Sequence, residues 1–279
     1  MKKKIGFKEV IQFAEEYIEN NAGECIACIR KLNKKYNCKE LIKNTYKPVC
    51  TIKDIENSNE WKYILLKRFC IELQNYRHMT NAIGYERYSY KNQYNKDENR
   101  IFNIAKNFLD NKNINDNVLL KVFEKELNIT KNPSWERYSK GLTDAINFIN
   151  GLDRKTFVKT LEQINKYNDR SALKSIYKSI YYMGEALAYD FVKELGCTNV
   201  VKPDIHIKDL AKLILGVKNQ IPQTVIKFCK ENSIDPYYAD KILWLCCTGN
   251  FYEDGITIHR MNKKNFIEYC KHRFYSEEM

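Results

Sequence analysis

A scarcity of turn-forming residues constrains the fold of this chain more than any other feature of its sequence. The chain has 279 residues but ten glycines and five prolines, about 5% of the total against about 12% in an average protein. A β-sandwich or barrel needs many tight turns, which glycine and proline commonly supply. Hydrophobic residues make up 44% of the chain and charged residues 29%, a balance typical of a globular protein. The sequence therefore predicts a globular fold built from helices.

Apolar residues recur at helical spacing along most of the chain. One stripe near the amino terminus includes Val10, Phe13 and Tyr17, and another, within 60–79, includes Trp61 and Phe69. Further helix starts are indicated by capping residues. These are Asn132 and Asp235, each followed by a proline, together with Asp153 and Ser171. No pair of strands stands out, so we expect an all-α fold of about ten or more helices.

The chain is strongly basic, with a net charge of +12 and an isoelectric point near 9.0. Such a charge favours a polyanionic partner, above all nucleic acid. The alternative is the composition of an AT-rich genome, which enriches Lys, Asn, Ile and Tyr throughout a protein. No apolar run approaches the about 18 residues that span a bilayer, and Lys8, Glu9 and Glu15 interrupt any signal-like stretch. We therefore expect a cytoplasmic protein with reduced cysteines and no membrane partner.

The most informative segment is 179–217, SIYYMGEALAYDFVKELGCTNVVKPDIHIKDLAKLILGV. It predicts a helix ending near Tyr182, a tight turn at Met183 and Gly184, and a second helix to Leu195 that Gly196 terminates. Two helices joined in this way form a helix–hairpin–helix. Its turn presents backbone N–H groups at a helix start, where the helix dipole favours a phosphate. An ordinary αα-corner would show the same local pattern.

Three parts of this segment follow the order and spacing of a known family. They are 180–188 (IYYMGEALA), 202–207 (KPDIHI) and 210–217 (LAKLILGV). This arrangement resembles the helix–hairpin–helix DNA glycosylase superfamily, which includes endonuclease III and the adenine and oxoguanine glycosylases. That family has a hairpin of the form LPGVGxKTA, followed after a spacer by a VDTH-like motif with the catalytic aspartate. Residues 241–250 (KILWLCCTGN) resemble its late helix ending in a glycine, whereas Tyr182 replaces its first hairpin glycine.

The resemblance implies an all-α, two-lobed fold with the active site in the cleft between the lobes. By analogy, residues 1–70 and 200–279 form a terminal lobe, and 71–199 form a central lobe with the hairpin at about 171–196. The implied partner is double-stranded DNA that contains a damaged or modified base, bound by a monomer in the cytoplasm, at the nucleoid. The resemblance also implies that no cofactor is needed.

Residue by residue, the resemblance makes Asp204 the catalytic residue. Bifunctional members carry a hairpin lysine as an amine nucleophile, but Ala186 stands at that position and cannot form a Schiff base. The implied enzyme is therefore monofunctional, with Asp204 assisting attack by water on the sugar. Asp204 can equally be a plain helix N-cap. Lys202 can contact phosphate, act as an unorthodox amine, or be a solvated lysine. The implied DNA contacts are Tyr182, Met183, Gly184, Glu185, Ala186 and Lys202.

A polar segment upstream, Gln74, Asn75 and Tyr76, follows an apolar helix. Family members place a turn here that wedges into the DNA stack. An amide such as that of Gln74 both donates and accepts hydrogen bonds, so it can fill the gap left by an extruded base. A polar helix end is the alternative interpretation.

The chain has ten cysteines, a residue type that commonly binds metals. The late cysteines, Cys229, Cys246, Cys247 and Cys270, do not have the close spacing of the family's iron–sulfur cluster. Cys25 and Cys28, with Cys38 and Cys50 further on, could bind zinc. Because no second CxxC follows and because Cys25 and Cys28 also fit one helix face, we expect no metal.

The sequence leaves three functional alternatives. The first is a monofunctional glycosylase, in base-excision repair or in defence against phage DNA with modified bases. The second is a DNA-binding module that kept the hairpin and lost catalysis. The third is a helical protein–protein adaptor with an accidental match.

Overall fold

The structure, a computed structural model, describes residues 5–29, 42–44, 46–76, 79–89, 99–110, 114–251 and 256–276. It is mostly helical, which confirms the all-α prediction. Among these residues there is also one short antiparallel pair that was not predicted, Asn250–Phe251 (β1) with Ile256–Thr257 (β2). Within the same ranges, no helix has the length and apolar character needed to cross a membrane.

Fourteen helices are numbered here along the described part of the chain. They are α1 Phe7–Ile29, α2 Ile52–Asn57, α3 Trp61–Leu73, α4 Thr80–Ile83, α5 Arg100–Lys106, α6 Asp116–Leu127, α7 Pro133–Gly151, α8 Arg154–Tyr167, α9 Arg170–Tyr177, α10 Glu185–Glu194, α11 Ile205–Leu213, α12 Ile221–Glu231, α13 Pro236–Thr248 and α14 Lys263–Ser276. A 3₁₀ turn, Tyr85–Tyr88, follows α4.

Capping residues explain where many of these helices begin. The side chains of Asn132, Asp153 and Asp235 each accept a hydrogen bond from a backbone N–H group in the first turn of α7, α8 and α13, as the sequence predicts. The prediction for Ser171 is wrong, because the cap of α9 lies two residues earlier. Its cap is Asp169, whose carboxylate accepts from the N–H of Ser171 itself at 2.8 Å.

The chain divides into two compact units, Met1–Lys47 with Thr198–Met279 (the terminal unit) and Pro48–Cys197 (the central unit). The sequence-based division places its first boundary near residue 70, which lies inside α3. Residues 48–70 belong to the central unit because α2 packs on α8 and α3, and α3 packs on α7 and α10.

The core of the central unit is aromatic and centres on α3, α7 and α10. The rings of Phe69 and Phe191 stack with centroids 4.0 Å apart, and Phe148 meets Phe69 edge-on at 6.2 Å. Nearer the amino-terminal end of α7, Trp135 and Tyr138 pack against Phe123 of α6. These contacts fix α7 between α3 and α6, and α7 in turn supports the segment between α9 and α10 that is described below.

In the terminal unit, α13 lies at the centre of the core and contacts α1, α11, α12 and α14. Its buried face includes Ile242, Leu245 and Cys246. The cysteines Cys229, Cys246, Cys247 and Cys270 are all buried as free thiols, where a cysteine packs as a small hydrophobic residue. This packing holds the amino-terminal end of α11, where Asp204 lies.

Candidate functional site

The segment between α9 and α10 is longer than the tight turn that the sequence predicts. The helix expected to continue to Tyr182 ends at Tyr177, and α10 begins at Glu185 as expected. After Tyr177 the chain turns more tightly than an α-helix, because the N–H of Ser179 donates to the carbonyl oxygen three residues earlier, that of Ile176, at 3.3 Å. The N–H of Tyr181 does not bond to the preceding turn and donates to the carboxylate of Asp144 on α7 at 3.0 Å. A long-range hydrogen bond therefore holds the chain four residues after the end of α9.

Tyr182 has the backbone conformation that a glycine would favour. Its φ angle is 64°, in the left-handed region that bulky residues rarely adopt. Tyr182 also stands where the resembled family has its first hairpin glycine. A glycine would adopt this conformation at no steric cost, whereas Tyr182 adopts it with a bulky side chain.

Gly184 leaves the start of α10 open. It is exposed, it is the N-cap of α10 without a side chain to accept a hydrogen bond, and a Cβ atom placed on it would meet no atom within 4 Å. The first N–H groups of a helix have no intrahelical acceptor, so those of α10 can donate hydrogen bonds to an anion. The carboxylate of Glu185 lies in this first turn, and Arg170 pairs with it at 3.1 and 2.5 Å.

The remaining hairpin residues differ in accessibility. Met183 is buried, 4% exposed, so its side chain packs in the core and contributes nothing to the surface. Ala186 is half-buried in the first turn of α10. Its methyl group offers no nucleophile at the position of the family's lysine.

The predicted wedge residues lie beside the hairpin. The ring of Tyr76 is 4.9 Å from that of Tyr182, so two predicted site segments that are far apart in sequence meet in the central unit. Gln74 is 5% exposed, and its Oε1 accepts a hydrogen bond from the N–H of Tyr85 at 3.0 Å. Gln74 therefore has a structural role in this conformation, while Asn75 is exposed.

Sequence reasoning missed the part of α7 that supports the hairpin. Tyr181 packs edge-on against Tyr182 at 4.4 Å, and the Lys140 ammonium lies 3.9 Å from the centroid of the Tyr181 ring. A Cβ atom on Gly141 would lie 2.8 Å from the carbonyl oxygen of Tyr181, so glycine is required for this approach. The sequence signal for this close approach was an isolated glycine, Gly141, within a helical pattern. We call Tyr76, Tyr181 and Tyr182 the tyrosine cluster.

Asp204, in the terminal unit, is the N-cap of α11. Its Oδ1 accepts hydrogen bonds from the N–H groups of His206 and Ile207, at 2.9 and 3.0 Å. Its Oδ2 accepts no hydrogen bond from the part of the chain that the structure describes. The side chain is half-buried. One carboxylate oxygen thus holds the helix start, and the other is available to an approaching group.

A second carboxylate, which sequence reasoning also missed, supports the chain just before Asp204. Asp240 on α13 is 3% exposed, and it accepts a hydrogen bond from the backbone N–H of Lys202 at 3.0 Å. A charged residue on the otherwise apolar face of α13 was the available signal. Asp240 therefore fixes the backbone of Lys202, two residues before the proposed catalytic side chain.

The surroundings of Asp204 contain several ionisable groups. Lys263 forms an ion pair with Asp209. Burial lowers the pKa of His206, and the nearby carboxylate of Asp204 offsets part of this shift. Burial also raises the pKa of the Cys247 thiol, and the charge of Asp204 contributes. Both His206 and Cys247 are therefore neutral near pH 7.

The possible zinc site cannot be placed as a group. The side chains of Cys25 and Cys28, and all of Cys38, lie outside the described residues. Cys50 is half-buried, and burial raises the pKa of its thiol to about 12. In the described ranges, no group of three or more His, Cys, Asp or Glu residues is arranged to hold a metal ion.

Comparison of the chain with family models, with curated proteins and with solved structures finds no match. The functional interpretation therefore depends on the local geometry of the hairpin and of Asp204.

Proposed function

We propose that this chain is a monofunctional DNA glycosylase of the helix–hairpin–helix type. It would extrude a damaged or modified base from duplex DNA and hydrolyse the N-glycosidic bond, in base-excision repair or in defence against phage DNA. The two-lobed fold of that superfamily is part of the proposal, as are a monomeric state and an association with the nucleoid.

The observation that carries the proposal is that the two oxygens of the Asp204 carboxylate have different hydrogen-bonding surroundings. Oδ1 is fixed by two backbone N–H groups, which orients the side chain without external help. Oδ2 is left to accept a proton from water or to face positive charge that develops on the deoxyribose. The plain N-cap Asp169 uses one oxygen in the same way, so what supports a catalytic use of the second oxygen of Asp204 is its position after the hairpin, in the order and spacing of the resembled family.

The hairpin supports the proposal as an anchor for DNA. Tyr182 adopts a left-handed backbone conformation at the position of the family's first hairpin glycine, and Gly184 leaves the start of α10 open. A phosphate at this helix start would hold the backbone next to the extruded nucleotide. Extrusion costs a few kcal/mol, and weakened or abnormal base pairs reduce that cost.

The decisive experiment compares the parental chain with Asp204→Asn on DNAs that carry varied lesions and phage-type modified bases, with free base detected by mass spectrometry. Asn caps a helix about as well as Asp, so the melting temperature should change little. Base release should fall by at least about 100-fold, because the negative charge opposite the sugar is lost. Release at the parental rate would remove Asp204 from the chemistry.

Two further measurements distinguish the alternatives. Borohydride should not trap the protein on substrate DNA, because Ala186 cannot form a Schiff base. Efficient trapping would identify an amine nucleophile, and Lys202 would be the first to test.

A non-catalytic binding module, which the replacement of the hairpin glycine by Tyr182 favours, would bind DNA and release no base from any of the substrates. A protein adaptor would show negligible DNA affinity even at low salt.

A further inference from the structure

The tyrosine cluster adjoins a cationic groove in the central unit. The groove has a volume of about 310 Å³ and lies along α6 and α7. Its lining includes Arg137 and Lys140 of α7, Asp116 of α6, and Tyr182 of the hairpin segment. Lys140 connects the two features, because it lines the groove and its ammonium also lies over the Tyr181 ring.

Among the charged residues of the groove, Arg137 is the one whose guanidinium can bind a ligand. Lys131 pairs with Glu136 at 3.2 Å, and Asp116 accepts a hydrogen bond from the N–H of Asn117 at its own helix start. Arg137 is half-buried, yet it has no hydrogen bond or ion pair with any residue in the described ranges. A guanidinium presents its donors in a planar fork that matches a phosphate.

Tyr181 is linked to this cation through Lys140, which lies over the Tyr181 ring and three residues after Arg137 on α7. It is 49% exposed, although large aromatic side chains are usually well buried. The hydrogen bond from its N–H to Asp144 and the contact with Tyr182 hold it in place. Because Lys140 lies over one face of the ring, a nucleobase would stack on the other face. Aromatic platforms beside basic grooves are typical of sites for unpaired nucleic acid.

We infer that this surface binds one unpaired nucleotide of DNA, with the base stacked on Tyr181 and the phosphate on Arg137. The inference rests on the proposed function and adds a substrate class to it: DNA that already contains an unpaired or loosened base. A pre-bound unpaired neighbour would lower the cost of extruding the target base.

The test measures fluorescence anisotropy with two labelled DNAs that contain only normal bases. One is a fully paired duplex, and the other is the same duplex with a single bulged thymine. The parental chain should bind the bulged DNA more tightly. Tyr181→Ala should weaken binding of the bulged DNA by at least about fivefold and affect the paired duplex less, while Tyr181→Phe should keep the preference.

Matched controls separate stacking and phosphate contact from general effects. Tyr167 is another exposed tyrosine with a lysine over its ring, Lys166 at 4.9 Å, but it lies at the end of α8 and outside the tyrosine cluster, so Tyr167→Ala should leave the preference intact. Arg137→Gln should reduce the slope of log affinity against log salt by about 1. Lys159→Gln, an equal charge change on the exposed face of α8, should reduce it less.

Equal affinity of the parental chain for the two DNAs would overturn this subsite, as would equal losses on both DNAs in Tyr181→Ala. If that variant melts far below the parental chain, quenching of a 2-aminopurine placed at the bulge decides the matter with the unaltered protein: quenching supports stacking, and its absence overturns it. Because neither DNA contains a damaged base, failure to release bases from lesions would refute the glycosylase proposal and leave this result standing.

Discussion

Replacing Gly141 by alanine tests whether α7 positions the hairpin. In the interior of a helix this change normally stabilises a protein by about 1 kcal/mol. Here the new Cβ atom would lie 2.8 Å from the carbonyl oxygen of Tyr181 and 3.3 Å from a methyl carbon of Leu73. The first contact involves backbone that Asp144 also holds through the N–H of Tyr181, so the oxygen cannot move away freely.

The expected net effect is a loss of stability. Inserting a methyl group into a close contact costs about 1–3 kcal/mol, which exceeds the gain in helix propensity. We therefore expect Gly141→Ala to lose about 1 kcal/mol, or about 3 °C in melting temperature, in thermal unfolding followed by circular dichroism. Displacement of Tyr181 should also weaken binding of the bulged DNA.

Gly151 provides the matched control at the end of the same helix. A Cβ atom there would meet nothing within 4 Å, so Gly151→Ala should stabilise the protein by about 0.4–1 kcal/mol and leave DNA affinity unchanged. The reasoning would be refuted if Gly141→Ala raised the melting temperature as much as Gly151→Ala and bound the bulged DNA normally.

Two further predictions concern the hairpin and Asp204. Gly184→Asp places a carboxylate at the open start of α10 and should weaken binding to every DNA sequence by several-fold in anisotropy titrations; unchanged affinity at moderate salt would remove the hairpin from the interface. Burial lowers the pKa of His206 in the folded chain, so the unfolded chain binds a proton more readily, and stability should fall as the pH decreases below the ordinary histidine pKa of about 6.5. Urea unfolding at pH 7.5 and pH 5.5 should show a smaller loss for His206→Gln than for the parental chain, and equal losses would contradict the assignment.

Local sequence signals predicted the helix starts well because the interactions that fix them are local. A cap such as Asn132 or Asp235 satisfies N–H groups only two or three residues away, and the following proline removes one donor. The error at Ser171 has the same origin: Asp169, Ser171 and the first turn of α9 compete within a few residues.

Helix ends in the candidate site depended on distant residues and could not be read from periodicity. The helical stripe predicted within 60–79 corresponds to α3, which ends at Leu73, and Gln74 then turns inward to accept the N–H of Tyr85. Likewise, the helix expected to reach Tyr182 ends at Tyr177, and Asp144 accepts the N–H of Tyr181. Both partners become neighbours only after the helices have packed.

The electrostatic setting of Asp204 explains why a capping residue can also suit catalysis. The nearby cation Lys263 is engaged by Asp209, and burial disfavours the charged form of His206. Asp204 itself forms no ion pair with any residue that the structure describes. Two N–H groups of α11 fix Oδ1, and Oδ2 has no ion-pair partner among the described residues. A carboxylate held in this way can stabilise positive charge on a sugar without first breaking an ion pair, and such preorganisation is the source of much electrostatic catalysis.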